Sequence, residues 1–273
     1  MSGNGVDITL NSLNTTGKLK WRTTLNFSYY NDKVIAYYLG DQLASNYVSQ
    51  TAFVSGVVGK PVYSIFSFKS AGLDPANGSP RGYVNGQISE DYNTLYNNTL
   101  LSDLKYSGSA IPTKFGSMLN TFTYNNFTLD VNLTYKLGYY FRKASIDYSN
   151  LFNNGIGNSD FALRWQQPGD ELHTYVPSMI YPDDVNRDAF YLGSEPLVEK
   201  GDHVRLQYIT ASYDFLKLKN PKLPFKTLRI YTNLSNLGLI WAANKDHIDP
   251  DYYYSGNTLK PPLTIAFGIK TSF

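Results

Sequence analysis

The chain has no cysteine among its 273 residues, so it holds no disulfide framework and no thiolate metal site. Histidine is nearly as scarce. His173, His203 and His247 are scattered without the H-x-x-x-H spacing of a zinc motif. No Ser/His/Asp grouping sits in a nucleophile context such as G-x-S-x-G. Nothing in the sequence points to an enzyme, a metal or a cofactor. Surplus charge is missing too: the net charge is +2, and no basic stripe with interleaved aromatics marks a nucleic-acid surface. No run of about eighteen apolar residues is present, which removes a transmembrane helix. Met1 is followed by S-G-N-G, without the basic and apolar regions of an export signal.

What is present is tyrosine, 24 residues in a chain that is 15% aromatic, and a period of two. Tyrosine joins an apolar ring to a polar tip and suits membrane interfaces and sugar-facing surfaces. At the end of the chain, Leu263, Ile265, Phe267, Ile269 and Phe273 fall on one parity, and Thr264, Ala266, Gly268, Lys270 and Ser272 on the other. That is a strand with one apolar and one polar face. Eleven residues at about 3.3 Å each, tilted by about 40°, cover about 27 Å, close to a bilayer's hydrocarbon thickness. Ending on an aromatic strand residue suits an outer-membrane barrel better than a soluble domain, whose termini fray. The expected fold class is therefore all-β, an antiparallel up-and-down transmembrane β-barrel segment. A mean hydropathy below zero is compatible with it, since barrel strands are only half apolar.

Taken in order, the alternation predicts strands over Gly5–Asn11, Trp21–Tyr30, Val62–Lys69, Arg81–Gln87, Phe115–Tyr124, Phe127–Leu137, His203–Phe215, Leu228–Leu234 and Leu263–Phe273. The clearest is Phe127–Leu137. In His203–Phe215 the apolar parity switches between Tyr208 and Ile209, which predicts a β-bulge. These nine strands are joined alternately by short connections (near 15–18, 71–80, 125–126 and 216–225) and long polar ones (32–60, 88–111, 142–200 and 239–260). Short periplasmic turns and long outer loops are the habit of outer-membrane barrels. Nine is odd, and an unclosed sheet in lipid leaves unpaired edges. With no export signal either, the expectation is a fragment of a longer chain.

Several segments resemble, in family order, the C-terminal part of SusC/RagA-type TonB-dependent transporters. They are S-F-K-S-A-G-L-D-P-A-N-G-S-P at 67–80, F-G-S-M-L-N-T-F-T-Y-N-N-F-T-L-D at 115–130, R-W-Q-Q-P-G-D at 164–170 and V-E-K-G-D-H-V-R-L-Q-Y-I-T-A-S-Y at 198–213. L-R-I-Y-T-N-L-S-N-L at 228–237, D-P-D at 249–251 and the closing F-G-I-K-T-S-F follow, and G-V-D-I-T-L at 5–10 opens the series. The resemblance implies that residues 1–273 are part of a 22-stranded barrel in the outer membrane of a Gram-negative, Bacteroidetes-type cell. It implies import of oligosaccharides or peptides, with a SusD-like lipoprotein, the TonB complex, the barrel assembly machinery and outer-membrane lipid as partners. The family's signal, plug and TonB-contacting segment have no counterpart in this sequence, so nutrient choice is not legible in it. Two other readings are a soluble all-β carbohydrate-binding module with Tyr-rich loops and a small self-contained porin.

In the barrel reading, Asp130, Asn132, Thr134, Lys136, Arg205, Gln207, Arg229 and Tyr231 face the lumen, where they line the path or simply wet it. Phe127, Leu129, Val131, Leu133, Leu263, Ile265, Phe267 and Ile269 face lipid, and Phe273 is the C-terminal assembly signal. Trp21, Trp165, Trp241 and Tyr252–Tyr254 are candidates for an interfacial girdle or for ligand stacking. Asp246, Asp249 and Asp251, and likewise Asp183, Asp184 and Asp188, place hard oxygen ligands in predicted outer loops. Neither run has EF-hand spacing, and the plainer reading is a solvated loop.

Overall fold

The computed structural model describes residues 1–40, 42–48, 54–216, 225–253 and 259–273. Its frame is one seven-stranded sheet. The strands are β1 (Ser2–Thr16), β2 (Leu19–Lys33), β3 (Lys114–Tyr124), β4 (Phe127–Leu137), β5 (His203–Leu216), β6 (Thr227–Ala242) and β7 (Thr264–Ser272). They lie side by side in chain order and every neighbouring pair is antiparallel. Among the described residues β1 and β7 are not paired with each other, so the sheet is open.

The nine expected strands thus become seven in this sheet. Val62–Lys69 and Arg81–Gln87 do not cross it. Ser64–Ser67 pairs instead with Lys105–Ser109, and Gly82–Val84 folds back on Gln87–Ser89. The second of these is a two-residue hairpin whose turn residues, Asn85 and Gly86, both carry positive φ (51° and 79°), the Asn-Gly geometry that matches strand twist. All four residues of Ser64–Ser67 are buried, so both faces are covered and no alternation is required of them. The contrast between turns and excursions survives this change. Hairpins join β1 to β2 and β3 to β4, and β5 leads to β6 through a connection, 217–224 within it, that lies outside the described residues. At the other end run the long excursions 34–113, 138–202 and 243–263.

One parity is carried across the sheet. Thr9 pairs with Asn26, Asn26 with Ser117, Ser117 with Thr134, and Thr134 with Arg205. Asp130, Thr210, Asn233 and Ala266 make a second row of the same face. On the opposite face Ile8, Phe27, Gly116 and Tyr135 follow one another, as do Val131, Ile209, Leu234 and Ile265. The bulge in β5 falls at Gln207, one residue before the expected place: Leu206 pairs with Leu133 and Tyr208 with Asn132. It restores the parity that the sequence switches.

Two glycines let tyrosines close over the sheet. A Cβ on Gly116 would meet the backbone oxygen of Asn26, and Tyr135 lies across that gap with its hydroxyl donating to the same oxygen at 2.9 Å. On the other face Tyr231 covers Gly268. An aromatic side chain over a cross-strand glycine hides backbone that has no side chain of its own and fixes which residues stand opposite.

The long connections are not merely polar. Among the described residues every buried apolar side chain lies in them and none on the seven strands. One cluster joins Ala44, Val48, Phe66, Phe68, Tyr92, Leu95 and Leu104 with Phe190. The other joins Ile146, Tyr148, Val176, Tyr191, Leu192 and Leu197. Three short helices, α1 (Tyr92–Asn97), α2 (Tyr148–Asn154) and α3 (Val185–Leu192), each start on an aspartate, Asp91, Asp147 and Asp184, whose carboxylate accepts first-turn N–H groups. At six to eight residues they are too short for a helical period to be read.

Arg142 fastens the first two excursions together. It is 3% exposed and donates to the carbonyls of Phe66, Ser194 (3.0 Å) and Leu192 (3.4 Å), the last two at the C-terminal end of α3. Such carbonyls lack intrahelical partners and favour a cation. Burial pushes the guanidinium pKa down to about 10, and it stays charged at neutral pH. Substituting Arg142→Met should cost about 2–4 kcal/mol, because three buried acceptors lose a charged donor. Hydrogen exchange should quicken across 64–68 and 185–197 together; exchange that quickens in one segment alone would contradict the coupling.

Candidate functional site

The polar face of the sheet ends, on the side of the long excursions, in a row of basic side chains. His203 pairs with Lys136 across the β5–β4 ladder, and Arg205 lies two residues further along the same face. The 243–263 connection returns over this row and lays Asp249 and Asp251 on it. Arg205 Nη2 donates to Asp249 Oδ1 and, at 3.1 Å, to Asp251 Oδ2. Lys136 Nζ donates to Asp251 Oδ1 at 2.7 Å, and His203 Nε2 stands 3.4 Å from Asp251 Oδ2. The other ring nitrogen of His203 is 2.8 Å from the Gly201 carbonyl and 3.2 Å from the Tyr139 hydroxyl. Burial alone would raise the Asp251 carboxyl; the hydrogen bonds from His203 and Lys136 outweigh it and hold the group well below the usual carboxylate range. Burial and the nearby Asp251 push the Tyr139 phenol far up.

Behind this clasp the same connection meets the 138–202 excursion. Lys143, with a side chain 4% exposed, donates through Nζ to Asp246 and lies 3.4 Å from Asp160 Oδ2 and 4.8 Å from the centre of the Tyr175 ring. Burial acts to lower its ammonium, but the bonds to Asp246 and Tyr175 prevail and raise it above the ordinary lysine value. Ser145 donates to Asp160 at 2.7 Å. Between the two segments opens a cleft of about 860 Å³, at the upper end of small-ligand sites. Its lining includes Lys143, Ser145 and Asp160, with Asp246, Ile248, Tyr252 and Tyr253 contributed by the 243–263 connection.

The residues singled out in the sequence divide among these places. Asp130, Asn132, Thr134, Lys136, Arg205, Arg229 and Tyr231 share the polar face, with Gln207 at the bulge. They are not uniformly free to line a path. Lys136 and Arg205 are engaged by the 243–263 connection. Asp130 accepts from Thr121 at 2.6 Å, Arg229 holds Asp214 through two bonds of 2.6 and 2.7 Å, and Tyr231 lies over Gly268. Phe127, Leu129, Val131, Leu133, Ile265, Phe267 and Ile269 share the other face, and Leu263 precedes β7. The Phe273 ring is 5.4 Å from that of Phe225.

Trp165 is loop packing. Its Nε1 donates to Glu171 at 3.1 Å, its ring lies on Gly78, and Ser178 N donates to the Gly78 carbonyl. The 67–80 and 164–170 segments, about ninety residues apart, thereby meet in space. Trp21 stacks on Phe122 and donates to Asn120 at 3.0 Å, on the apolar face, where Trp241 also stands opposite Val204. The Tyr252 ring lies 5.3 Å from the Arg205 guanidinium and the Tyr253 ring 4.5 Å from Phe141; Tyr254 lies outside the described residues.

Five of the six aspartates in the two acidic runs are engaged and not merely solvated. Asp246, Asp249 and Asp251 spend their charge on Lys143, Arg205, Lys136 and His203, Asp184 caps α3, and Asp188 accepts from Ser149 N and Oγ. Among the described residues no three acidic, histidine or cysteine side chains are grouped as a metal cage. Arg142, Lys143, Ser145 and Asp160 were not visible as site residues in the sequence. Their one signal is the F-R-K-A-S stretch at 141–145, two adjacent cations just after the clearest strand.

A carboxylate held below its usual range contributes stability that is complete above about pH 4 and disappears only as the pH falls through the lower, folded value. The clasp on Asp251 is therefore expected to persist at pH 5 and to loosen only in stronger acid. Asp251→Asn should loosen it already at neutral pH, by about 1–3 kcal/mol for lost charge-assisted bonds. Amide exchange over 244–253 reads both effects, and equal protection in the two proteins at pH 7 would refute the assignment.

The sequence matches no family model and no curated protein. Its fold does resemble solved structures. The RagAB peptide transporter aligns over 99% of this chain with a TM-score of 0.67 and 18% identity, covering 29% of the solved chain. The RagAB peptide importer in its open-open state gives 0.67, 17%, 99% and 28% for the same quantities. In its closed-closed state it gives 0.64, 19%, 99% and 29%. At this identity the likeness is one of fold, and the chain spans less than a third of the length of the chains it matches.

Proposed function

We propose that this chain forms part of the wall and outer cap of an outer-membrane β-barrel transporter of the SusC/RagA type. In this reading it works with a SusD-like lipoprotein and draws on TonB for energy. The observation that carries the reading is the inverted placement of apolar side chains. The excursions enclose two conventional cores, while the sheet turns an apolar face outward on which, among the described residues, no buried apolar side chain packs. Ile8 is 53% exposed, Ile265 54%, Phe267 82% and Ile269 71%. Water-soluble monomers rarely leave a contiguous apolar patch of more than a few hundred Å² uncovered, whereas lipid favours one.

The apolar face is also banded. Trp21, Phe122, Tyr124, Phe127, Tyr213 and Phe215 lie toward the short turns, and Tyr29, Tyr135 and Trp241 toward the excursions. Aliphatic residues such as Leu25, Met118, Val131, Leu133, Leu206 and Leu234 fill the space between. Phe127 and Tyr135 are eight residues apart, about 27 Å along a strand and about 20 Å across a membrane at a 40° tilt. Aromatic girdles bounding an apolar band of about 25 Å are what a bilayer's two interfaces select.

The polar face then looks onto the barrel interior, and the open edges of β1 and β7 continue into further strands, since unpaired backbone is not tolerated in hydrocarbon. The likeness to a peptide importer supports transport as the role of the whole protein, of which this chain supplies a share.

The test is a pair of substitutions in β4. Val131→Arg puts a guanidinium midway between the two bands on the outward face and should cost about 2–4 kcal/mol, with a matching fall in outer-membrane level. Asn132→Arg, on the inward face, should leave that level within about twofold. Equal losses would overturn the facing. Recovery of the unaltered protein in the soluble fraction, with glycan binding, would favour a carbohydrate-binding module instead.

A further inference from the structure

We infer that residues 244–252 form a flap that docks as one piece on the polar rim of the sheet and is latched there by charge, so that ionic strength sets how often it is open. The chain takes an indirect path here. From Ala242, the last residue of β6, it has only to reach β7, which lies beside β6. It first goes the other way. Asp249 meets Arg205 of β5, and Asp251 meets both Arg205 and Lys136 of β4. Strands stand about 4.8 Å apart, so the segment doubles back by about 10 Å over the polar face.

The segment is bonded to itself. Asn244 Nδ2 donates to the Ile248 carbonyl at 2.8 Å, and Asn244 Oδ1 accepts from Ile248 N at 2.7 Å. Tyr252 N donates to the Asp249 carbonyl at 3.0 Å, and Asp251 N to Asp249 Oδ1 at 3.2 Å. Among the described residues no main-chain to main-chain hydrogen bond joins 244–252 to another segment. Ala243 N, which donates to the Asp202 carbonyl at 2.9 Å, marks its base. None of its residues enters either apolar cluster. Where it faces the 138–202 excursion there is a cleft of about 860 Å³ in place of a packed contact. A unit held by its own bonds can lift without breaking them, and few apolar contacts resist the lifting.

Charge does resist it. Lys143 holds Asp246, Arg205 holds Asp249 and Asp251, Lys136 holds Asp251, and His203 stands beside Asp251. Lys260 Nζ lies 3.8 Å from Asp249 Oδ2. Two ring contacts accompany them, Tyr252 on Arg205 and, just past the flap, Tyr253 on Phe141. One like charge opposes the latch: burial, then Asp246, raise the Glu199 carboxyl above its ordinary value. Salt weakens such attractions and favours the separated, hydrated charges. Where the polar face looks onto a barrel interior, the docked flap narrows the entrance and the lifted flap widens it. That consequence rests on the transport reading; the latch does not.

The chain has no cysteine, so two introduced ones can carry spin labels alone. Lys114→Cys on β3 and Lys245→Cys on the flap replace exposed residues outside these ion pairs. The full chain in detergent micelles is measured by pulsed electron resonance at about 0.1 M and about 1 M sodium chloride, between which the screening length falls from about 10 Å to about 3 Å. One distance is expected at low salt. A second should appear at high salt, with the docked-to-lifted ratio falling at least about fivefold. Arg205→Gln should show the second distance already at low salt, while Lys105→Gln, which breaks an ion pair elsewhere, should not. A single distance indifferent to salt would overturn the inference, and that measurement needs no change to the latch. So would a docked distance retained by Arg205→Gln in a protein whose thermal unfolding is unchanged. Facing is read separately by the β4 pair. An outward polar face would remove the flap from any entrance and leave the latch standing, and a rigid flap on an inward face would do the reverse.

Discussion

Everything in the sheet depends on its register. Side chains alternate with a period of two, so a slip of one residue between any two strands would exchange the apolar rows for the rows of threonine, asparagine and charge. Seven strands multiply that demand, because each ladder must pass the same parity to the next. The sequence meets it with local devices. Asn14 and Gln207 are extra residues that bulge β1 and β5. Tyr135 seats on Gly116 and Tyr231 on Gly268, one pair on each face. Polar pairs such as Ser28–Asp7 at 2.6 Å and Thr24–Asn11 at 2.8 Å link strands across the polar face. Each contributes about 0.2–1 kcal/mol, small singly but repeated on ladder after ladder.

The excursions answer a different constraint. They carry the habits of water-soluble protein: capped helices, a closed hairpin and aromatic cores. Phe190 of α3 enters the cluster built by the first excursion, and Arg142 ties carbonyls of both. The excursions therefore cohere through their own contacts, the ion pairs Lys105–Glu195 at 2.7 Å and Lys143–Asp246 among them, and the last one meets the sheet's rim through Arg205–Asp249 and the pairs on Asp251.

How much of this was legible in the sequence follows from the range of the forces involved. Phe127–Leu137 was read with the bounds it has, because a strand with one apolar and one polar face shows that contrast at every second residue. Ser64–Ser67, buried on both sides, carries no such record, so Val62–Lys69 was mistaken for a membrane strand. Val-Asn-Gly-Gln at 84–87 held a turn signal that alternation passed over. The packing of Phe66 near Phe190, or Trp165 on Gly78, had no local trace at all. The aspartates of the last excursion stood out, but their cations did not: Lys136 is 115 residues from Asp251, and Lys143 is 103 from Asp246. With partners invisible, the cluster read as a solvated loop.

Charge, rather than grease, fastens the last excursion to the rim for a physical reason. An apolar latch would place apolar area on the polar face, where it would be exposed whenever the segment lifted. Ion pairs carry the opposite risk, the cost of desolvation, which is severe only for fully buried charge. Here Asp251 keeps 22% of its side-chain surface and Lys136 44%, while Arg205 keeps 8% and Asp249 13%, so hydration is lost in part at one pair and largely at the other, where the close hydrogen bond offsets it. Opening the contact returns those charges to water, which takes them readily. A segment held this way stays ordered when closed, and its charges are readily hydrated when open.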